Sequence, residues 1–373
     1  MANTRMLARR AFSTGNFGVG KLEQGFKEFG PGGRSSVAGI TASLFGGTGF
    51  LGKYLQFELG KTGFRLYLAN RGDEQDVRAY KVAFDLGQWA SVPYSLRDED
   101  SIKRVLEGSD IAINCIGKYY DTKHLVPHRD ASGKLSNVNF SLEEIHIEAP
   151  AKLAELAKSV GVSHFLHVSA LGADKDSPVR WLATKGQGEE ALKSVFPRAT
   201  IVRPGRLFGP EDRLLNWFAQ NAASFGVIPL FNGGNALLQP TYASDVVDAM
   251  VKIIEDPEDY EGKTFELAGE HNFTWRELMD FTFDITYQKP RVVDLPLAVG
   301  EMAAFGLSQL PNPLLTTDDA KLMSTDVILE PSSSAMTFQD LHIKPTPLEK
   351  VAFNYLYRYR TDGGHFPYAE GYH

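Results

Sequence analysis

One cysteine, Cys115, in 373 residues excludes a disulfide framework and a thiolate zinc site, each of which needs several thiols. The nine histidines are scattered without metal-ligand pairing, so no metal is expected. Basic residues are in deficit. The 39 Lys and Arg against 46 Asp and Glu give a net charge of −7, the wrong sign for a chain whose main partner is nucleic acid. Long apolar runs are also scarce. The most apolar stretch, Leu295 to Leu315, contains Glu301 and is broken by Pro311 and Pro313, whereas a transmembrane helix needs about 20 continuous apolar residues. It suits a membrane surface, a partner subunit or the chain's own interior. Acidic residues are missing before Glu23, while Arg5, Arg9 and Arg10 lie among hydroxylated residues. That composition is expected of a mitochondrial transit peptide at 1–17, followed by an irregular lead-in at 18–34; a basic tail is the alternative.

With 43% hydrophobic residues the chain can bury a large core. Its organising stretch runs from Ile40 to Gly52. Val37 to Phe45 reads as an apolar strand, and Phe50 to Leu59 as a helix with Leu51, Leu55 and Leu59 on one face. A strand turning directly into a helix leaves the first helical N–H groups unpaired, and they can hold a pyrophosphate. Gly46 allows the turn, Gly49 admits the phosphates and Gly52 lets helix and strand pack closely. Gly47, Thr48, Phe50 and Leu51 complete the candidate phosphate loop. The spacing is G-x-x-G-x-x-G, not the usual G-x-G-x-x-G.

Phe64 to Asn70 alternates as a strand and ends at Arg71. In a βαβ unit this end faces the adenosine ribose, where an arginine suits a 2′-phosphate and an acid suits the 2′-hydroxyl. Arg71 therefore favours NADP over NAD; an exposed turn arginine is the plainer alternative. Val92 to Leu96 is expected as a third strand, and Arg97 to Leu106 as a helix capped by Asp98. Asp110 to Gly117 has the nearly continuous apolar character of a central parallel strand, with Asn114 and Gly117 at its carboxyl end, where ligands of open α/β sheets bind; Ile116 and Gly117 are candidate cofactor contacts. Lys118 to Asn139 is expected as a long loop, Glu143 to Val160 as a helix kinked at Pro150, and His164 to Ala170 as a strand ending in Ser169. A sixth strand, Ala199 to Leu207, includes Pro204.

Beyond it, helices are expected from Glu211, over Ser244 to Glu255 and over Trp275 to Ile285. Thr264 to Ala268 reads as a strand and Phe225 to Pro240 as a loop. The alternation specifies an α/β fold, a doubly wound parallel Rossmann-type sheet with a smaller mixed C-terminal lobe. The expected divisions are an NADP-binding domain at 35–210, a lobe at 211–344 that returns to the first domain at about 240–268, and a docking tail at 345–373.

Gly46 to Gly52, Arg71, Ser95 to Ile102, Val168-Ser169, Arg203-Pro204 and Phe208-Gly209 resemble the atypical and extended short-chain dehydrogenase/reductases. More narrowly, Phe84 to Gln88, Ile201 to Pro204, Phe208 to Arg213 and Gln239 to Val246 are similar to the nucleotide-binding accessory subunits of mitochondrial NADH:ubiquinone oxidoreductase, complex I. The resemblance covers residues 35 to 365. It implies bound NADP(H), other complex I subunits of the peripheral arm as partners, contact with the inner-membrane surface from the matrix side, and no role with nucleic acid. Leu96 would pack on the adenine.

Reductases of this superfamily use a tyrosine as general acid/base, a lysine four residues later, and a serine that bonds the substrate carbonyl. Ser169 and Lys185 match those positions, but the tyrosine position holds Trp181. An indole N–H only donates and does not titrate usefully, so it cannot shuttle the proton. Tyr119 and Tyr120 are candidate substitutes. The expectation is a catalytically silent complex I subunit in which Lys185 anchors the ribose and Ser169 contacts the nicotinamide end, with Pro204 a further candidate cofactor contact. A free NADP-dependent reductase or epimerase and an NADP(H)-sensing regulator are the alternatives.

Overall fold

Apolar runs spaced by helices build one parallel sheet. The computed structural model describes residues 37–360 apart from 122–126, 130–134, 138–139, 309–312, 314 and 331–333; the expected transit peptide and lead-in lie outside the described residues. The first half contains β1 (Thr41–Phe45), α1 (Phe50–Thr62), β2 (Arg65–Asn70), β3 (Trp89–Pro93), α2 (Glu99–Leu106), β4 (Ile111–Asn114), α3 (Ala149–Val160), β5 (His164–Val168), α4 (Arg180–Val195) and β6 (Thr200–Pro204). After these come α5 (Leu215–Phe225), β7 (Val227–Phe231), α6 (Ala243–Glu255), β8 (Thr264–Leu267), α7 (Trp275–Thr286), β9 (Arg291–Leu295), α8 (Leu297–Leu307) and α9 (Leu348–Leu356).

The seven-stranded sheet has the order β8-β6-β5-β4-β1-β2-β3, with every pairing parallel. β1 and β4 are buried at every residue, as expected of central strands covered on both faces. Leu55 and Leu59 of α1 share one core with Val246, Val247 and Met250 of α6. Ile102 and Val105 of α2, Leu153 of α3 and Leu192 of α4 build the core on the other face. The chain leaves β1 towards β2 and β3 and returns at β4, so a crevice opens at their carboxyl ends.

Several expectations need correction. β1 begins at Thr41, and β3 is shifted toward the N-terminus from Val92–Leu96, because Tyr94 and Leu96 turn into the apolar core. Asp98 makes no side-chain cap; the Ser101 hydroxyl instead donates to the Asp98 carbonyl at 2.7 Å. The kink at Pro150 is a change of helix type. A π-helical turn, Glu144–Glu148, runs into α3, whose first turn holds Pro150, where a missing N–H is tolerated. The loop after β4 contains an antiparallel pair, Pro127–Arg129 with Leu135–Asn137.

The expected loop at Phe225 to Pro240 contains β7, which pairs in parallel with the unanticipated β9. The helix expected from Glu211 starts at Leu215, because the Asp212 carboxylate accepts the N–H groups of Gly209, Leu214 and Asn216. In the apolar stretch, α8 turns Gly300 and Ala304 inward and leaves Met302 and Phe305 exposed. No described helix is long and apolar enough to cross a membrane. The tail was expected to dock elsewhere, yet Tyr355 is buried in the chain's own lobe, with its hydroxyl donating to Asp212 at 2.7 Å. Arg360 donates to the Ile285 carbonyl; residues 361–373 lie outside the described set.

Candidate dinucleotide site

The turn between β1 and α1 is built around glycines that no other residue could replace without displacement. Gly46 has a φ of +80°, and a Cβ there would lie 2.7 Å from the Cys115 carbonyl carbon. A Cβ on Gly52 would lie 2.5 Å from the Gly46 oxygen. Gln56, buried in α1, donates to the Gly47 carbonyl at 2.7 Å and fixes the loop from below. Thr48 and Gly49 are exposed. α1 has neither a capping side chain nor an acid in its first turn, so its N-terminal dipole is available to an anion. Phe50 and Leu51 can serve only through their backbones. The Phe50 ring packs on Tyr54 and the Leu51 side chain is in the core.

The other expected residues line the same carboxyl edge. Arg71 directly follows β2. Leu96 and Ile116 share an apolar cluster with Phe45, Tyr94 and Phe140, and the Arg97 guanidinium lies 4.7 Å from the Phe140 ring centroid. Lys118 donates from Nζ to the Phe140 carbonyl. Its pKa is held below the ordinary lysine value by burial and then by the charge of Arg71.

At the opposite end, Ser169 follows β5 and its buried hydroxyl has no hydrogen-bond partner among the described residues. Lys185, buried in α4, donates to the Val168 carbonyl at 3.2 Å. Burial pushes this amine down to about 8. A Cβ on Gly117 would sit 3.6 Å from Lys185 Nζ. Pro204 ends β6, and its carbonyl accepts from Leu171; it makes no described contact with Lys185. An unpartnered hydroxyl and a sparsely bonded amine beside a glycine floor fit the polar end of a dinucleotide.

Trp181 stands one helical turn before Lys185. Its indole donates to the Lys118 carbonyl at 2.7 Å, and its ring stacks on Tyr119 with 5.6 Å between centroids and 13° between planes. His146 accepts the Lys118 N–H through Nε2 at 3.3 Å, and its Nδ1 lies 2.9 Å from the Thr184 hydroxyl. The Lys118 backbone is thus held on both sides of its Cα, at its N–H and at its carbonyl. Tyr119 is engaged by Trp181, and among the described residues no tyrosine hydroxyl is bonded to Lys185. Sequence reasoning missed Gln56, Lys118, Phe140 and His146; the only signal for them was polar or aromatic residues on otherwise ordinary helix and loop positions.

The chain matches the NAD-dependent epimerase/dehydratase family over residues 42–268. It is 38% identical over 368 residues to "NADH dehydrogenase [ubiquinone] 1 alpha subcomplex subunit 9, mitochondrial" of Arabidopsis thaliana, covering 96% of this chain and 86% of that one. It is 35% identical over 335 residues to the Mus musculus protein of the same name, with 89% and 84% covered. Among solved structures, a Citrobacter triphenylmethane reductase superposes with a TM-score of 0.62 at 16% identity, over 85% of this chain and 99% of that one; this shows the fold alone. The chain belongs to the family of alpha subcomplex subunit 9 proteins of mitochondrial NADH dehydrogenase [ubiquinone], within the NAD-dependent epimerase/dehydratase family, whose members bind nicotinamide dinucleotides.

Proposed function

We propose that this chain is an accessory subunit of mitochondrial complex I that holds NADP(H) as a structural ligand without turning it over, on the matrix side of the inner membrane. One observation carries the silent part of this reading. The residue at the proton-shuttling position is an indole bonded to a backbone carbonyl, and among the described residues no tyrosine hydroxyl bonds Lys185. The open N–H groups at the start of α1, beside Gly47 and Thr48, would hold the nucleotide's pyrophosphate, the Gly49 N–H being taken by the Gly46 carbonyl; Leu96 and Ile116 would hold its adenine and Lys185 its nicotinamide ribose, with Gly117, Ser169 and Pro204 around that end. Arg71 takes the 2′-phosphate, and that dianion relieves the repulsion between Arg71 and Lys118. When bound, the group brings hydride chemistry; here its contribution is stability by mass action.

Native electrophoresis of mitochondria tests the reading. Migration with the large respiratory complexes is expected, and migration at monomer size alone overturns it. Retention of Ser169 and Lys185 favours a second reading, a free NADP-dependent reductase or epimerase. That reading requires NADPH oxidation by the isolated chain with a carbonyl substrate.

A further inference from the structure

Gln56 lies in the middle of α1 with no exposed surface, an uncommon place for a primary amide. Both ends of that amide are taken. Its Nε2 donates to the Gly47 carbonyl at 2.7 Å, and its Oε1 accepts at 3.5 Å from the indole of Trp89, the first residue of β3. An indole N–H only donates and a carbonyl only accepts, so the two neighbours fix which way round the amide stands. Trp89 orients Gln56, and Gln56 orients Gly47.

Gly47 is buried and seated on that amide without slack. A Cβ on it would lie 3.1 Å from Gln56 Nε2 and 2.4 Å from Leu68 Cδ1, and a Cβ on Gly52 would lie 2.6 Å from the Gly47 Cα. The Gly47 carbonyl and the Thr48 N–H belong to one planar trans peptide and point in opposite directions. Holding the carbonyl toward the core therefore turns the Thr48 N–H out of it. Thr48 is exposed, and among the described residues its N–H has no hydrogen-bond partner. The Gly49 N–H is taken by the Gly46 carbonyl, which makes the direction of the Thr48 N–H decisive for an anion at this turn. A glycine on one side of a peptide lets it rotate freely. Without a pin, the same peptide could present its oxygen to the phosphates.

We infer that Gln56 is a positioning residue for dinucleotide binding: with Trp89 behind it, it locks the Gly47–Thr48 peptide so that the Thr48 N–H faces the pyrophosphate. The inference rests on the dinucleotide reading and adds to it the residues that preset the anion cradle. Neither Gln56 nor Trp89 touches the ligand. A donor already aimed spends no binding energy on ordering the loop.

The test measures NADPH binding by its fluorescence on the full chain, dialysed free of dinucleotide. Beside it is measured the binding of adenosine 2′-monophosphate, which carries the adenine and the 2′-phosphate but no pyrophosphate. Gln56→Met keeps the size of the side chain and removes the donor. It should weaken NADPH by about tenfold or more and leave the 2′-monophosphate within about twofold. Trp89→Phe keeps Gln56 and unpins its amide, which guards against a Gln56 variant that fails to fold. It should weaken NADPH with the same selectivity and by a smaller factor. NADPH affinity equal to that of the unmodified chain in every variant that folds, or a parallel loss of both ligands, overturns the inference and leaves the dinucleotide reading standing. An unmodified chain that binds no NADPH overturns that reading, and this inference with it.

Discussion

The indole nitrogen of Trp181 lies 2.7 Å from the carbonyl oxygen of Lys118, so a residue at the catalytic tyrosine's position serves as a brace for the loop after β4. On the other side of the Lys118 Cα, its N–H is held by His146. Trp181→Phe keeps the stack on Tyr119 and removes the donor. The loss expected is about 1–3 kcal/mol, read from denaturant unfolding. Trp181→Tyr places a phenol four residues before Lys185, and NADPH oxidation with a small aldehyde is expected to rise above that of the unmodified chain. An unchanged rate would mean that the Tyr119 stack also blocks the centre.

Gly46 cannot accept a side chain. Gly46→Ala meets the Cys115 carbonyl group at 2.7 Å in a left-handed conformation, so the turn must shift and the N–H cradle with it. The expected result is loss of co-purifying dinucleotide together with about 1–3 kcal/mol of stability. Retention of full dinucleotide occupancy would contradict the assigned phosphate loop.

On the proposed reading, Arg71 selects NADP over NAD. Arg71→Ala is expected to weaken NADPH by about tenfold or more while leaving NADH within about twofold. Isothermal titration of the two ligands measures that ratio. A parallel loss for both would assign Arg71 to the fold instead.

Two buried histidines make the fold acid-sensitive. Burial, then the Lys185 charge, pushes His146 down to about 2 and His167 to about 3. Below about pH 6.5 the unfolded chain takes up protons that these rings refuse. Stability is therefore complete above that pH and is lost as the pH falls toward 3, by about 2 kcal/mol per ring at pH 5. Lys185, pushed down to about 8, is protonated in both states across this window and adds no slope. Chemical denaturation at pH 7.5 and pH 5 checks the difference; equal midpoints would show that the rings are hydrated or protonated in the folded chain.

The glycine turn, β4, the Arg71 position and the Ser169, Trp181 and Lys185 set were legible because each depends on side-chain type at short spacing. The parallel pairing of β7 with β9 was not, since it joins two five-residue strands far apart in sequence. The brace on Lys118 was invisible for a different reason: the groups bonded are its backbone N–H and carbonyl, which every residue but proline carries, so they leave no sequence signature. Tyr355 and Arg360 looked like docking residues because their partners, Asp212 and the Ile285 carbonyl, lie 143 and 75 positions away. Phe140 follows a polar stretch and gave no sign that it would join Leu96 and Ile116.

The most direct measurement is native mass spectrometry of the chain released from purified complex I. The account predicts one NADP(H) per chain and no NADPH oxidation with carbonyl substrates in the same sample. A dinucleotide-free mass, or a dinucleotide that turns over, would contradict it.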